Sequence, residues 1–168
     1  MTRAALAMLL LVAAGGDFPA QVRAGDRLLV LNGVGVRTYS LLGIEVYRAA
    51  LYVELPSADA AAILGSPGIK EIRVRYLRDG DRSLAIRGWE RSFDDACGCA
   101  MPAAFRARIA DIRAGDEERY VFLPDRAEIA MNGGPPTMIP GISRLLLSTF
   151  IGDRPPTAAL KRALLGAR

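Results

Sequence analysis

The stretch Leu31-Asn32-Gly33-Val34-Gly35-Val36-Arg37 decides between two architectures. As the opening of a dinucleotide-binding fold it would need a third glycine and a helix directly behind it. It has neither. Thr38-Tyr39-Ser40-Leu41-Leu42 follows and leads into another strand-like run, Ile44 to Glu54, rich in Tyr, Val and Leu. Glycines inside a strand pattern mark a bulge, or a point where another backbone or a ligand comes close. The run that contains them, Arg27 to Arg37, carries Leu28, Leu29, Val30 and Leu31 on both faces, which suits a strand covered by other elements. Arg37 closes the run. With 20 arginines in the chain, it is either a surface ion-pair partner or a cation held for a purpose.

Working outward, Pro56-Ser57 is expected to cap a short helix, Ala58 to Leu64, ended by Gly65. Lys70 to Leu77 alternates: Ile72, Val74 and Tyr76 point one way, Arg73 and Arg75 the other, a strand with one wet face. A helix from Asp81 to Phe93 is predicted with Leu84, Gly88, Trp89 and Phe93 inward. A second one, Pro102 to Arg113, is predicted with Phe105, Ile109 and Ile112 inward and Arg106, Arg108 and Arg113 outward. Strands at Arg119–Leu123, Ala127–Met131 and Thr137–Ile139 are separated by Pro124-Asp125-Arg126 and Asn132-Gly133-Gly134 turns. An apolar, buried helix at Ile142–Ile151 and a Thr157-capped helix at Ala158–Leu165 complete the chain. Strands joined by short turns, with helices between and after them, imply an α+β fold: an antiparallel sheet under one layer of helices.

The 168 residues suit one domain, and an apolar fraction of 51% is enough for a substantial core. The net charge of +4, from 22 basic and 18 acidic residues spread along the chain, lacks the concentrated stripe of a nucleic-acid binder. There is no histidine, which excludes His general-base chemistry, Ser-His-Asp and Cys-His constellations, and imidazole zinc sites. Ala4 to Ala14 is an uninterrupted apolar run behind Arg3, long enough for a signal-peptide core and too short to span a bilayer. Residues 1–20 are read as a signal peptide, cut between 14 and 20 with Ala14 the better site, and 21–168 as the single domain. A Gram-negative cell would deliver such a chain to the periplasm.

Few side chains offer chemistry. Cys97-Gly98-Cys99 either closes on itself, stays as two thiols, or with Met101 holds a soft ion such as Cu(I). No full metal-ligand set can be assembled, and no cofactor is expected. The neighbours in Asp94-Asp95 and Glu117-Glu118 diverge on either a helix or a strand, so both pairs are read as solvated charge.

Taken together, Leu31 to Arg37, the segment Val46-Tyr47-Arg48-Ala49-Ala50-Leu51-Tyr52-Val53, Ala114-Gly115-Asp116, Leu123-Pro124, Ile139-Pro140-Gly141, Ile151-Gly152-Asp153-Arg154-Pro155-Pro156 and Leu160 to Gly166 resemble the chalcone isomerase-like family. The secreted bacterial branch is the nearer match, over residues 25 to 166. The resemblance implies an open-faced β-sandwich, a large antiparallel sheet under helices. It places Arg37 where the plant isomerases hold and polarise their ligand, Thr149 on the same cleft, and Phe150 at another cleft-lining position. It also puts Tyr47 in place of a catalytic threonine, Ser83 in place of the active-site tyrosine, and Glu90 in place of an asparagine. Each lost hydroxyl removes about 2–4 kcal/mol of transition-state stabilisation, and two remove roughly three to six decades of rate. The other branch of the family binds fatty acids. The expectation is therefore a periplasmic binding protein for a fatty acid or similar small amphiphile. The ligand is held in an apolar cleft through Arg37, Tyr47, Thr149 and Phe150, with Arg37 the cleft's one buried cation. The alternative is a chalcone-type isomerase, an intramolecular lyase, with Arg37 as its catalytic group.

Overall fold

A computed structural model describes residues 18–40 and 42–166, so the leader reading at Ala4–Ala14 lies outside the described residues. Seven strands form one sheet in chain order, every neighbour antiparallel. They are β1 (Gln21–Ala24), β2 (Arg27–Tyr39), β3 (Ile44–Val53), β4 (Lys70–Tyr76), β5 (Glu117–Phe122), β6 (Arg126–Met131) and β7 (Thr137–Pro140). The helix α1 (Ala60–Gly65) follows β3, and α2 (Arg82–Cys97) and α3 (Ala103–Arg108) lie between β4 and β5. α4 (Ser143–Ile151) and α5 (Ala158–Leu164) close the chain.

Period-2 alternation sorts the side chains into two clusters. Leu51, Val53, Ile72, Val74, Tyr76, Tyr120, Phe122 and Ile129 face the helices, where they meet Phe93, Phe105, Leu146, Phe150 and Leu160 in the main core. On the opposite face Val22, Leu29, Ala50, Tyr52 and Val121 form a smaller cluster that Phe18 helps to cover. Beside it that face turns ionic. Glu71 is fully buried and accepts from Arg73 Nε at 2.6 Å and from Arg119 at 2.7 Å, while Arg75 pairs with Glu117 at 3.0 Å. An apolar helix-side face and a charged outer face make the sheet an open-faced sandwich, as the alternation over Lys70–Leu77 implies.

The glycine run does both things its pattern allows. The β2–β3 register slips between Leu31 and Gly33 and again between Arg37 and Thr38. At Gly33 a Cβ would run into the Ala163 carbonyl oxygen and come within 2.7 Å of the Leu164 oxygen, because the end of α5 lies directly on β2. Asn32 fastens the same junction: its amide donates to Leu164 O at 2.8 Å and Ser57 O at 3.0 Å, and its oxygen accepts from Ser57 N at 2.8 Å.

Several boundaries differ from the sequence expectation. β1 forms ahead of Arg27 because Gly25-Asp26 makes a two-residue turn, with Gly25 at φ +61°. The cap of α1 is Asp59, whose carboxylate accepts from Ala61 and Ala62 N–H, so the helix starts two residues later than Ala58. α2 continues past Phe93 to Cys97, where Gly98 in the left-handed region ends it. α3 stops at Arg108: Ile109 is extended, Arg82 Nε donates to Ile109 O at 2.8 Å, and Ile112 bridges to Gly80. Leu84, expected inward, is 53% exposed near the start of α2.

Candidate functional site

Arg37 and Tyr47 are direct partners across β2 and β3. The guanidinium lies 5.7 Å from the centre of the Tyr47 ring, a cation–π distance. Tyr47 is buried; burial pushes its phenol up, and the Arg37 charge opposes that shift. Arg37 itself is half-buried and lines a crevice of about 300 Å³. α2 contributes Gly88, Arg91, Ser92 and Asp95 to the wall, and the α4–α5 connection contributes Arg154 and Thr157. The α2 residues recur at i, i+3, i+4 and i+7, one helical face.

Behind the Arg37–Tyr47 pair the interior is a chain of rings with a buried ion pair at its middle. Tyr47 meets Tyr76 edge-on at 6.0 Å. The Tyr76 hydroxyl donates to Glu118 Oε2 at 2.7 Å, the Tyr120 hydroxyl donates to the same oxygen, and Arg108 donates to Oε1. The side chains of Arg108 and Glu118 are only 9% and 3% exposed. Burial, and then the Glu118 charge, push the Tyr76 and Tyr120 phenols well up. For Arg108 burial works against the charge, but Glu118 and the surrounding phenols outweigh it and the guanidinium holds its proton more tightly. Glu118 is thus no solvated charge, and Arg108 does not point outward. Among the described residues Arg108, paired with Glu118, is a buried cation between sheet and helices, whereas Arg37 is at the rim.

Thr149 and Phe150 sit in this interior and line neither cavity. Thr149 is 2% exposed and its hydroxyl donates to Leu146 O at 2.7 Å within α4. Phe150 packs against Tyr120 at 5.5 Å and against Trp89 at 5.9 Å. Arg37 and Tyr47 are therefore brought together, and Phe150 is joined to them through Tyr76, Glu118 and Tyr120. The space expected to be an apolar slot is filled by the chain's own rings. Ser83 is exposed and its hydroxyl donates at 2.6 Å to Asp81, the residue that caps α2. Glu90 pairs with Arg106 on α3.

Two signals for these residues were present in the sequence. Glu118 shares strand parity with Tyr120 and Phe122, which puts it on the apolar face once β5 starts at Glu117 and not at Arg119. The polar stripe Gly88-Arg91-Ser92-Asp95 has helical spacing beside the apolar Trp89 and Phe93.

A second cavity of about 600 Å³, between α1, α2 and α4, is lined by residues of both signs, including Asp94, Asp153, Arg144 and Arg154. Cys97 also borders it, and is joined to Cys99 in a local disulfide. Of the three readings of Cys97-Gly98-Cys99 the structure has ring closure, and Met101 is buried in the core. Among the described residues no helix is long and apolar enough to cross a membrane.

A meander sheet under helices, with an arginine–tyrosine pair at the mouth between them, defines an open-faced sandwich that can present a cation to a ligand. The chain belongs to the chalcone isomerase-like family, whose sequence model matches residues 11–166. Among 38 matching chains of solved structure is the crystal structure of a fatty-acid binding protein from Arabidopsis thaliana. Its TM-score is 0.69 at 18% identity, covering 88% of this chain and 90% of that one, a likeness of fold. No curated protein matches the chain.

Proposed function

We propose that the protein binds a fatty acid or a similar small amphiphile, with the anionic head at Arg37 and the tail between β-sheet and helices. It is carried to the periplasm by the leader at its N-terminus, and it does not perform the chalcone isomerase reaction. The observation that carries this reading is the Arg37–Tyr47 pair, a half-buried guanidinium on an aromatic ring at the rim of a crevice that backs onto the apolar core. A carboxylate there gains a forked, charge-assisted bond. The described function of the Arabidopsis neighbour supports the same class of ligand. Against isomerase chemistry, a buried tyrosine, Tyr47, stands where the plant isomerases have a threonine, the exposed Ser83 donates to Asp81, and Glu90 faces Arg106.

Because the interior is filled, the tail enters by parting α2 from the sheet, so binding selects an opened form of the helix layer. Trp89 reports this directly: it is the one tryptophan, and it packs on Phe105 at 4.8 Å and on Phe150. Titration with laurate is expected to shift Trp89 emission saturably. Native mass spectrometry of gently purified protein should show a retained acyl ligand that Arg37→Ala reduces at least tenfold. Retention unchanged in that variant, with no fluorescence response to laurate, would reject the reading. A hydroxychalcone assay that showed rapid loss of the enone band would revive the isomerase instead.

A further inference from the structure

We infer that the crevice around Arg37 is built for a doubly charged head, a phosphate monoester, in preference to a carboxylate. This inference rests on the amphiphile reading above and narrows its ligand. Three guanidiniums from three separate segments, Arg37 on β2, Arg91 on α2 and Arg154 on the α4–α5 connection, line one space of about 300 Å³. Asp95 is the only carboxylate on that wall, which leaves two positive charges over. Among the described residues none of the three arginines forms an ion pair with a carboxylate.

Elsewhere among the described residues the arginines are divided: Arg23, Arg78, Arg113, Arg144 and Arg162 also stand without an ion pair, but they do not share one hollow. Arg73, Arg75, Arg106, Arg108, Arg119 and Arg126 each meet an acidic side chain. Three guanidiniums converging on one hollow with a single carboxylate beside them hold a local potential suited to an anion. A monocarboxylate offers two oxygens and one charge, which one guanidinium satisfies in a forked pair. A phosphate monoester offers three oxygens and close to two charges at neutral pH, enough for all three arginines. Thr157 lines the same wall: its Oγ1 accepts from Leu160 N–H and its O–H remains to donate, whereas Ser92 Oγ donates to Gly88 O. The Arg37–Tyr47 pair at its inner end leads toward the aromatic interior, where an alkyl chain attached to that phosphate would run.

The test is isothermal titration of the whole protein with four probes: decyl phosphate, decyl sulfate, decanoate and inorganic phosphate. Decyl phosphate is expected to bind about tenfold more tightly than decanoate, with the singly charged sulfate ester nearer to decanoate. In Arg91→Ala and Arg154→Ala, each checked for an unaltered melting curve, the ratio of phosphate to carboxylate affinity should fall toward one. Decanoate binding through Arg37 with no preference for decyl phosphate overturns the inference and leaves the amphiphile reading standing. Inorganic phosphate binding as tightly as decyl phosphate, with loss in both variants, upholds the phosphate crevice but assigns it to free phosphate and removes the amphiphile. Binding of neither phosphate probe overturns the inference outright.

Discussion

Two phenols and a guanidinium converge on the carboxylate of Glu118 in the core. Removing one partner of such a buried pair leaves the other charged and desolvated, at about 3–5 kcal/mol. Glu118→Ala should therefore lower the urea-unfolding free energy by that amount, and Arg108→Met combined with Glu118→Leu should recover part of it. A loss below about 1 kcal/mol for the single variant would show the network to be solvated. The tyrosines carry a pH dependence of definite sign. Tyr47, Tyr76 and Tyr120 are raised in the folded state, and Tyr52 is pushed up to about 12 by burial. The unfolded chain releases these protons near pH 10 while the folded chain keeps them, so this contribution is whole below pH 10 and declines above it. Melting temperature should be insensitive to these groups up to about pH 9 and fall steeply beyond pH 10, with the phenolate absorbance rising together with unfolding. Phenolate signal from four tyrosines in a still-folded protein at pH 10 would contradict the burial.

At the scale of elements the β2–α5 contact is the most demanding. Gly33→Ala forces a methyl group against the backbone of α5, where no rotamer change relieves it, and is expected to cost about 3 kcal/mol. Gly35→Ala meets Ala163 Cβ and Leu160 Cδ1 at 3.0 Å and Leu160 O at 3.1 Å, a looser overlap than at Gly33, and should cost less. Equal and small effects in chemical denaturation would mean that α5 is not held on β2. The glycines were readable as a bulge or a close approach; which partner comes close was not, since α5 lies about 130 residues further along the chain. The same holds for the site. Arg37 and Tyr47 were legible because adjacent strands bring them together and the family pattern marks them. Arg108 was not, because its side is decided by where α3 ends. That end is fixed by Arg82, a residue of another helix, and not by the 3.6-residue period of its own sequence. Strand interiors were set by local alternation, while helix lengths depended on tertiary partners that alternation does not see.

At the scale of the molecule, each strand pairs with its neighbours in sequence, so the sheet needs no crossover and one face is free to stay open. That open face still has an apolar corner. Phe18 is 9% exposed on it, and the Tyr52 hydroxyl donates to the Pro19 carbonyl at 2.9 Å. The two candidate processing points for the proposed leader are consequently unequal. A peptidase acting after Ala20 would strip away the aromatic plug and strand a phenol without its acceptor, at about 3 kcal/mol or more. Acting after Ala14, it would release a product that keeps both. The intact mass of the exported form should match a chain beginning at Gly15, and a mass for one beginning at Gln21 would show that the corner tolerates being uncovered.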